Sequence, residues 1–551
     1  MDMPTPFEIA DRLTEAYSDL DPLSATESGV AGRDHLPTDY SPEGNQARIE
    51  LFRATHRELA DHLDHPDPVE AQAARVMSGW LDTRLVEAET REWSWDLNHI
   101  ASPFQTIRDV FDVMDKSDGP AWEAITARLE AFPFMLDGYT ESLKVGLAAG
   151  DVVARRQVES VIEQAEAEAG DTSRFNMLAG ETAGAGADPG RVEVAVETAR
   201  TTCARLAAWL RSDYLPHAVE SDAAGIDRYL VGVDSYLGMS FDPQETYEWG
   251  WSEVHRIRDE MARTAGEVDP SLSLPEVVEI LENDSARSAA TRHDFIDFVQ
   301  GIQNQAISQL DGVHFDVPDP IKKVTVKVAP PGGALGAWYM GPSEDFTRPG
   351  SIWYAPGSRE RIPYWQEVST AYHEGFPGHH LQVGMAQIQQ EKLSRFHRLY
   401  IWYSGSGEGW ALYAERLMDE LGFFEKPEYR LGLLASQLFR ATRVVVDIGC
   451  HLELAIPDDA PLHRGVTWGY GPAVDYMEQI ALQPRDISES EVKRYLGWWG
   501  QAISYKVGER EILAIRDEAM KRPDFDRKDF HRRMLDAGAI RLDQLRQVML
   551  S

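Results

Sequence analysis

One proline constrains this chain more than any other residue. Pro377 sits inside Ala371-Tyr372-His373-Glu374-Gly375-Phe376-Pro377-Gly378-His379-His380-Leu381-Gln382. In a common zinc-binding pattern, two histidines four apart on a helix share one face, with a glutamate beside the first. Here the residue four after His373 is Pro377, which cannot bind a metal. In a continuous helix its ring clashes with the carbonyl of His373. The helix must therefore break after Glu374, with Gly375 and Gly378 giving the backbone its freedom. The second metal ligand moves out to His379 or His380. Seven residues of continuous helix would rise about 10.5 Å. That is too far for two groups that must each meet one ion at about 2.0–2.1 Å. Compacting six residues asks less, so His379 is favoured and His380 is the alternative. The plain competing reading is a helix start with two half-exposed imidazoles.

A zinc site of this type needs a third protein ligand. The candidate is Glu408, in Ser404-Gly405-Ser406-Gly407-Glu408-Gly409-Trp410-Ala411-Leu412-Tyr413-Ala414-Glu415. The 29 residues from His379 let one helix run out and a second return. Gly407 and Gly409 bracket Glu408 where a helix begins, and Trp410, Ala411, Ala414, Leu417 and Met418 form an apolar stripe at helical spacing. Taken alone, Glu408 would also serve to complement a helix N-terminus. Glu374, beside His373, is placed to touch a water rather than the metal, as a general base does.

These segments resemble a known family. His-Glu-x-x-Pro-Gly-His-His-x-Gln followed by Glu-Gly-Trp-Ala-Leu-Tyr-Ala-Glu is similar to the bacterial domain of unknown function 885 family. That family is grouped with zinc metallopeptidases whose third ligand is a glutamate (gluzincin-like). Glu-Gly-Trp-Ala is also similar to the Asn-Glu-Gly-Phe-Ala segment of aminopeptidases typified by aminopeptidase N. The stretched histidine spacing is similar in kind to that of dipeptidyl peptidase III, which inserts one residue where this chain inserts two. The resemblance spans essentially the whole chain, through looser matches at Arg128-Leu129, Pro133, Arg228-Tyr229-Leu230, Tyr236-Leu237-Gly238 and Glu248-Trp249-Gly250-Trp251, which helix packing explains equally well. It implies Zn2+ on His373, His379 and Glu408, with Glu374 as the base.

Three further groups join the candidate site. Arg440, Arg443, Asp447 and His451 fall on one stripe of an otherwise apolar helix over Leu431–Leu454. A buried polar stripe must be satisfied. Either it pairs with acidic helices elsewhere, or it forms a wall of the site. As a wall, Arg440 or Arg443 would grip a substrate carboxylate and His451 would stabilise the oxyanion. The family segment Arg-x-x-Arg-x-x-x-Asp-x-Gly-x-His supports the second reading. Trp499-Gly500-Gln501-Ala502-Ile503-Ser504-Tyr505-Lys506-Val507-Gly508 resembles the family's Pro-Gly-Gln-Ala-x-x-Tyr-Lys-x-Gly, with Trp499 in place of the proline. Related zinc peptidases set a Tyr or His opposite the metal, which makes Tyr505 the candidate; a core tyrosine bonded to a carbonyl is the alternative. By the same resemblance, Ala334-Leu335-Gly336-Ala337 is an edge strand that holds the substrate backbone, its small residues Gly336 and Ala337 admitting a peptide.

The remainder sets the frame. Residues 1–315 read as successive helices, among them Ala47–Leu63, Val69–Glu89, Ala121–Ala148, Val152–Glu168, Val192–Arg211 and Pro243–Ala265. Residues 316–551 form the catalytic region. It has short strands over 322–356, active-site helices over 364–420 (Tyr364–Glu374, then His379–Phe396) and C-terminal helices ending with Ala537–Met549. Lys323–Val328, with its period of two, is the clearest strand, followed by Ala334–Met340 and Ser351–Ala355. The fold class is mainly α, a large multi-helix gluzincin-like architecture with a small sheet beside the active-site helix, in one compact unit.

The 551 residues carry a formal net charge of −37. That argues against nucleic acid and anionic membranes as partners. Two cysteines far apart give no disulfide framework. The N-terminus lacks a basic-then-apolar leader pattern, and no apolar run approaches the ~20 residues that cross a bilayer, so the cytoplasm is expected. The function expected is zinc-dependent hydrolysis of peptide bonds in short peptides. Its rivals are a metal-dependent amidase acting on a small molecule and an inactive peptide-binding scaffold.

Overall fold

Helices dominate because so much of the chain carries both the period and the start signals of helices. Ser41-Pro42, Asp67-Pro68, Asp188-Pro189 and Asp242-Pro243 each begin one: the Ser or Asp side chain accepts a backbone N–H of the first turn and the proline takes a position that needs no donor. The computed structural model describes residues 3–182, 186–329, 336–343, 346–357, 359 and 361–551. The class is mainly α, as the sequence leads one to expect, with small sheets.

Two expected helices are in fact pairs, and a third begins later than expected. The stretch 121–148 is divided into Gly119–Glu130 and Phe132–Ala149, where Pro133 opens the second. The stretch 379–396 is His379–Ile388, a link, and then Arg395–Tyr400. The closing helix, expected over Ala537–Met549, is Leu542–Leu550; a separate helix, Arg527–Ala537, precedes it and ends at Gly538, whose φ is +73°.

The buried apolar residues fall into two cores. The smaller is built from Leu23 and residues between Trp95 and Ala218. The larger joins the first helices to everything from Tyr229 onward. Trp499 packs against both and stacks on Trp95, ring centroids 5.3 Å apart. Between the cores lies a cavity of about 1880 Å³.

Three strands, β1 (Val324–Val328), β2 (Gly336–Met340) and β3 (Gly350–Ala355), form a sheet in the order β1-β3-β2. β1 runs parallel to β3 and β2 antiparallel to it. β2 is therefore an edge strand, and Gly336 to Tyr339 line the cavity. The expected turn at Pro330–Gly333, and Ala334 and Leu335 of the expected edge segment, lie outside the described residues. Six helices complete the frame: α1 (Tyr364–Glu374), α2 (His379–Ile388), α3 (Ser404–Glu420), α4 (Pro427–His451), α5 (Arg485–Gly497) and α6 (Ser504–Ala519). α3 and α6 cross almost backbone to backbone. A Cβ on Gly508 would stand 1.9 Å from the Gly405 carbonyl oxygen, and one on Gly409 would stand 2.6 Å from the Gly508 carbonyl carbon. This crossing sets Glu408 of α3 beside Tyr505 of α6. Among the described residues, no helix is long and apolar enough to cross a membrane.

Candidate metal centre

The helix break places the candidate ligands. α1 ends at Glu374 and α2 begins at His379, with a cis bond between Phe376 and Pro377. Backbone groups freed by the break find new partners. Gly378 N–H donates to the Tyr372 carbonyl (3.1 Å) and His380 N–H to the Gly375 carbonyl (3.2 Å). The Gln303 side chain accepts from Phe376 N–H (2.7 Å) and donates to the Ala371 carbonyl (2.7 Å). Trp410 Nε1–H donates to the Pro377 carbonyl (3.0 Å). What Gly378 contributes is space rather than a left-handed φ: a Cβ there would lie 2.1 Å from the His373 oxygen.

This fold-back brings His373, His379 and Glu408 together, with one ligand atom of each lying within 4.8 Å of the others. Nε2 of His373 is 3.3 Å and Nε2 of His379 3.2 Å from the same oxygen of Glu408. Ligand atoms about 2.1 Å from a tetrahedral ion stand ~3.4 Å apart, so these separations fit such an ion. Glu408 sits in the second turn of α3 rather than at its first residue.

Behind the triad is a residue to which the sequence reading gave no role. Glu415, seven residues after Glu408 and on the same face of α3, bonds Nδ1 of His373 at 2.7 Å. Its other oxygen accepts from the Ser369 hydroxyl. An outer carboxylate on the distal nitrogen is what orients a metal-binding imidazole. The spacing of seven from Glu408 was the available signal. His379 has no such support, since its Nδ1 is buried without a protein partner.

The electrostatics match the donor set. Burial alone would drive His373 neutral, but Glu408 and Glu415 hold its pKa up at about 10. Glu408 is itself buried, yet the two imidazoles hold its carboxyl well below the usual carboxylate range. Two carboxylates thus face two histidines, an anionic pocket that a divalent cation would complete.

The other expected site residues divide. Glu374 and Tyr505 line the cavity with the triad. The Tyr505 ring lies nearly parallel to that of His373, centroids 6.4 Å apart. Burial, then the Glu408 anion, raises its pKa. Arg440, Arg443, Gly336 and Ala337 also line the cavity.

Two expectations are overturned. His380 is not available as a ligand: its Nε2 bonds the Ile321 carbonyl (2.7 Å) and its Nδ1 the Tyr339 hydroxyl (3.0 Å). His451 does not face the cavity. It is fully buried, its Nε2 donates to the Tyr495 carbonyl (3.0 Å), and its Nδ1 accepts from Ala224 N–H (3.3 Å). Burial pushes the pKa of each down to about 4. Of the stripe on α4, the arginine end lines the cavity, and Asp447 and His451 lie beyond it in the core.

Comparison with known proteins agrees with this picture of the fold. A family model described as "Bacterial protein of unknown function (DUF885)" matches residues 22–549. A solved structure described as "the putative lipoprotein from Colwellia psychrerythraea" superposes with a TM-score of 0.84 at 22% identity, covering 99% of this chain and 98% of that one. A second, described as a "putative lipoprotein of unknown function from Shewanella oneidensis", gives a TM-score of 0.74 at 19% identity over 100% of both chains. None of the curated proteins matches.

Proposed function

The chain belongs to the bacterial DUF885 family, and we propose that it is a zinc-dependent, gluzincin-like hydrolase of short peptides. One observation carries the reading: two imidazole nitrogens meet one carboxylate oxygen at 3.2–3.3 Å, with Glu374 left over beside them on a large cavity. His373, His379 and Glu408 would hold the ion, and Glu415 would fix the His373 ring. An ion held there supplies Lewis acidity and acidifies water to a pKa near 7.

The chain's own groups do the rest. Glu374 takes the proton of the attacking water and delivers it to the leaving amine. The Tyr505 hydroxyl donates to the oxyanion, a contribution of roughly 3–4 kcal/mol in comparable sites. The edge strand β2 offers backbone groups for an extended substrate. The cavity, at about 1880 Å³, exceeds the ~300–1,000 Å³ of small-molecule sites. This favours a peptide of several residues over a small amide. Cys203 and Cys450, both buried and unpaired, suit a reducing compartment such as the cytoplasm.

The test is Glu374→Gln. The purified variant should bind as much zinc as the wild type, about one ion per chain. It should hydrolyse a mixed peptide library about 10²- to 10⁴-fold more slowly. A fully active Gln variant would remove Glu374 from the mechanism.

A further inference from the structure

The cavity wall beyond Tyr505 is cationic, in a protein whose formal net charge is −37. Arg440 and Arg443 of α4 and Arg494 of α5 all line it. The carboxylate among them is Glu491, bonded to Arg443 (2.8 Å), Arg494 (3.0 Å) and the Tyr495 hydroxyl. The next cavity-lining acid on α5, Asp486, is five residues before Glu491, about 7.5 Å along the helix.

The three guanidiniums are not equivalent. Arg443 is committed: it bonds the Tyr495 hydroxyl at 2.9 Å and lies over the Phe439 and Tyr505 rings at 4.0 and 4.8 Å. Arg494 is only 8% exposed, bonds Gln501 at 2.6 Å, and has a buried Nε with no partner. Arg440 has a buried Nε with no partner, and the hydrogen bond it does make goes to a carbonyl of its own helix, Ser436. Among the described residues, no carboxylate oxygen comes within 4.0 Å of Arg440; the nearest acid to feel its charge is the buried Glu415, already bonded to His373 and Ser369. Buried donors without partners beside excess positive charge mark a place where an anion is missing.

We propose that Arg440 and Arg494 bind a carboxylate of the substrate, so that the enzyme cleaves close to a free carboxylate. This rests on the hydrolase reading of the metal centre. The Tyr505 ring lies between His373 and Arg443, at 6.4 Å from one and 4.8 Å from the other. The cationic wall therefore begins no more than about 11 Å from a metal-binding imidazole. An extended residue spans ~3.3–3.6 Å, and an ion pair adds a few ångströms. That bound is to Arg443, and Arg440 and Arg494 line the same wall, so an extended substrate reaches the anchor within a few residues of the scissile bond. The same chemistry serves a peptide's terminal carboxylate or the side chain of an acidic residue a few positions past the cut.

The test reads binding apart from turnover. Zinc-loaded Glu374→Gln protein is offered three random tetrapeptide libraries, and the retained fraction is measured by mass spectrometry. The first has a free C-terminus and no acidic residues. The second is its C-terminal amide. The third is the amide with one Asp or Glu. Retention of the first or the third about 10- to 100-fold above the second supports the anchor, and which of them is retained says where the carboxylate resides. Equal retention of all three, or of none, overturns it. Arg440→Gln, a half-buried position, should abolish the preference while leaving zinc content and melting temperature unchanged. A preference that survives Arg440→Gln and Arg494→Lys together also overturns it. If the preference holds but the wild type cleaves nothing, the hydrolase reading fails and the anchor stands. If cleavage occurs without the preference, the reverse is true.

Discussion

His373 and His380 are seven residues apart and both are buried, 4% and 1% exposed, yet they belong to different chemistries. His380 has one ring nitrogen on the Ile321 carbonyl and the other on the Tyr339 hydroxyl. It is a neutral imidazole fully used by the protein, and His451 repeats the arrangement with Tyr495 and Ala224. His373 and His379 instead turn toward the same carboxylate oxygen. A buried histidine would be free for a metal only where a ring nitrogen faces an acid rather than a neutral donor or acceptor, as Nε2 of His373 and of His379 does. The break at Gly375–Gly378 sorts the two kinds, turning His379 toward Glu408 while His380, about 100° further round α2, faces Ile321 and Tyr339.

The largest effect that tests this contrast is on metal content. His373→Ala or His379→Ala should reduce bound zinc from about one ion per chain to none, by plasma mass spectrometry of the purified protein. His380→Gln should keep the full complement, although the lost bond to Ile321 should cost about 1–3 kcal/mol of stability. Zinc lost from His380→Gln with zinc retained in His379→Ala would reverse the assignment of the second ligand.

A smaller effect sharpens the role of Glu415. Its Gln variant keeps the shape but lets the His373 ring lose its anionic partner. Zinc affinity, read by competition with a chelator, should fall about 10- to 100-fold, while the stoichiometry at saturating zinc stays at one. An unchanged affinity would make Glu415 a packing residue whose bond to His373 is incidental.

The degree to which the sequence reveals this arrangement follows the range of the interactions. The helical class and most helix starts were legible, because Pro after Ser or Asp and a 3.6-residue period are local signals. Pro377 and its flanking glycines revealed the break, and the break separated His379 from any regular zinc pattern. Pro133 was equally visible, but as a first-turn residue of a second helix it was read through. What could not be read were contacts between elements distant in the chain. His380 is occupied by Ile321 and Tyr339, some 60 and 40 residues earlier, and nothing in the periodicity around 380 records them. The stripe Arg440, Arg443, Asp447, His451 was correctly placed on one face of a helix. A helix 25 residues long nonetheless outruns the cavity, so one face meets two environments.

Those two environments can be separated by pH. At the core end of the stripe, Asp447 is fully buried. One oxygen accepts from the Tyr229 hydroxyl (2.8 Å) and from Gly500 N–H (3.2 Å), and the other has no hydrogen-bond partner, with His451 Nε2 3.7 Å away. Burial raises its pKa from the ordinary 3.8 to about 7. The folded protein therefore holds a proton that the unfolded chain releases above about pH 4. The stability tied to that proton is fully present below about pH 4 and is lost as pH rises through 7. Asp447→Asn cannot ionise and keeps an acceptor for Tyr229 and Gly500. Its melting temperature should gain on the wild type between pH 4.5 and pH 8, by the equivalent of about 1–3 kcal/mol. Arg440→Gln, at the cavity end of the same stripe, should show no such pH-dependent gain. A constant offset for Asp447→Asn across that range would mean that Asp447 is ionised in the folded core, and the two ends of the stripe would then differ in packing alone.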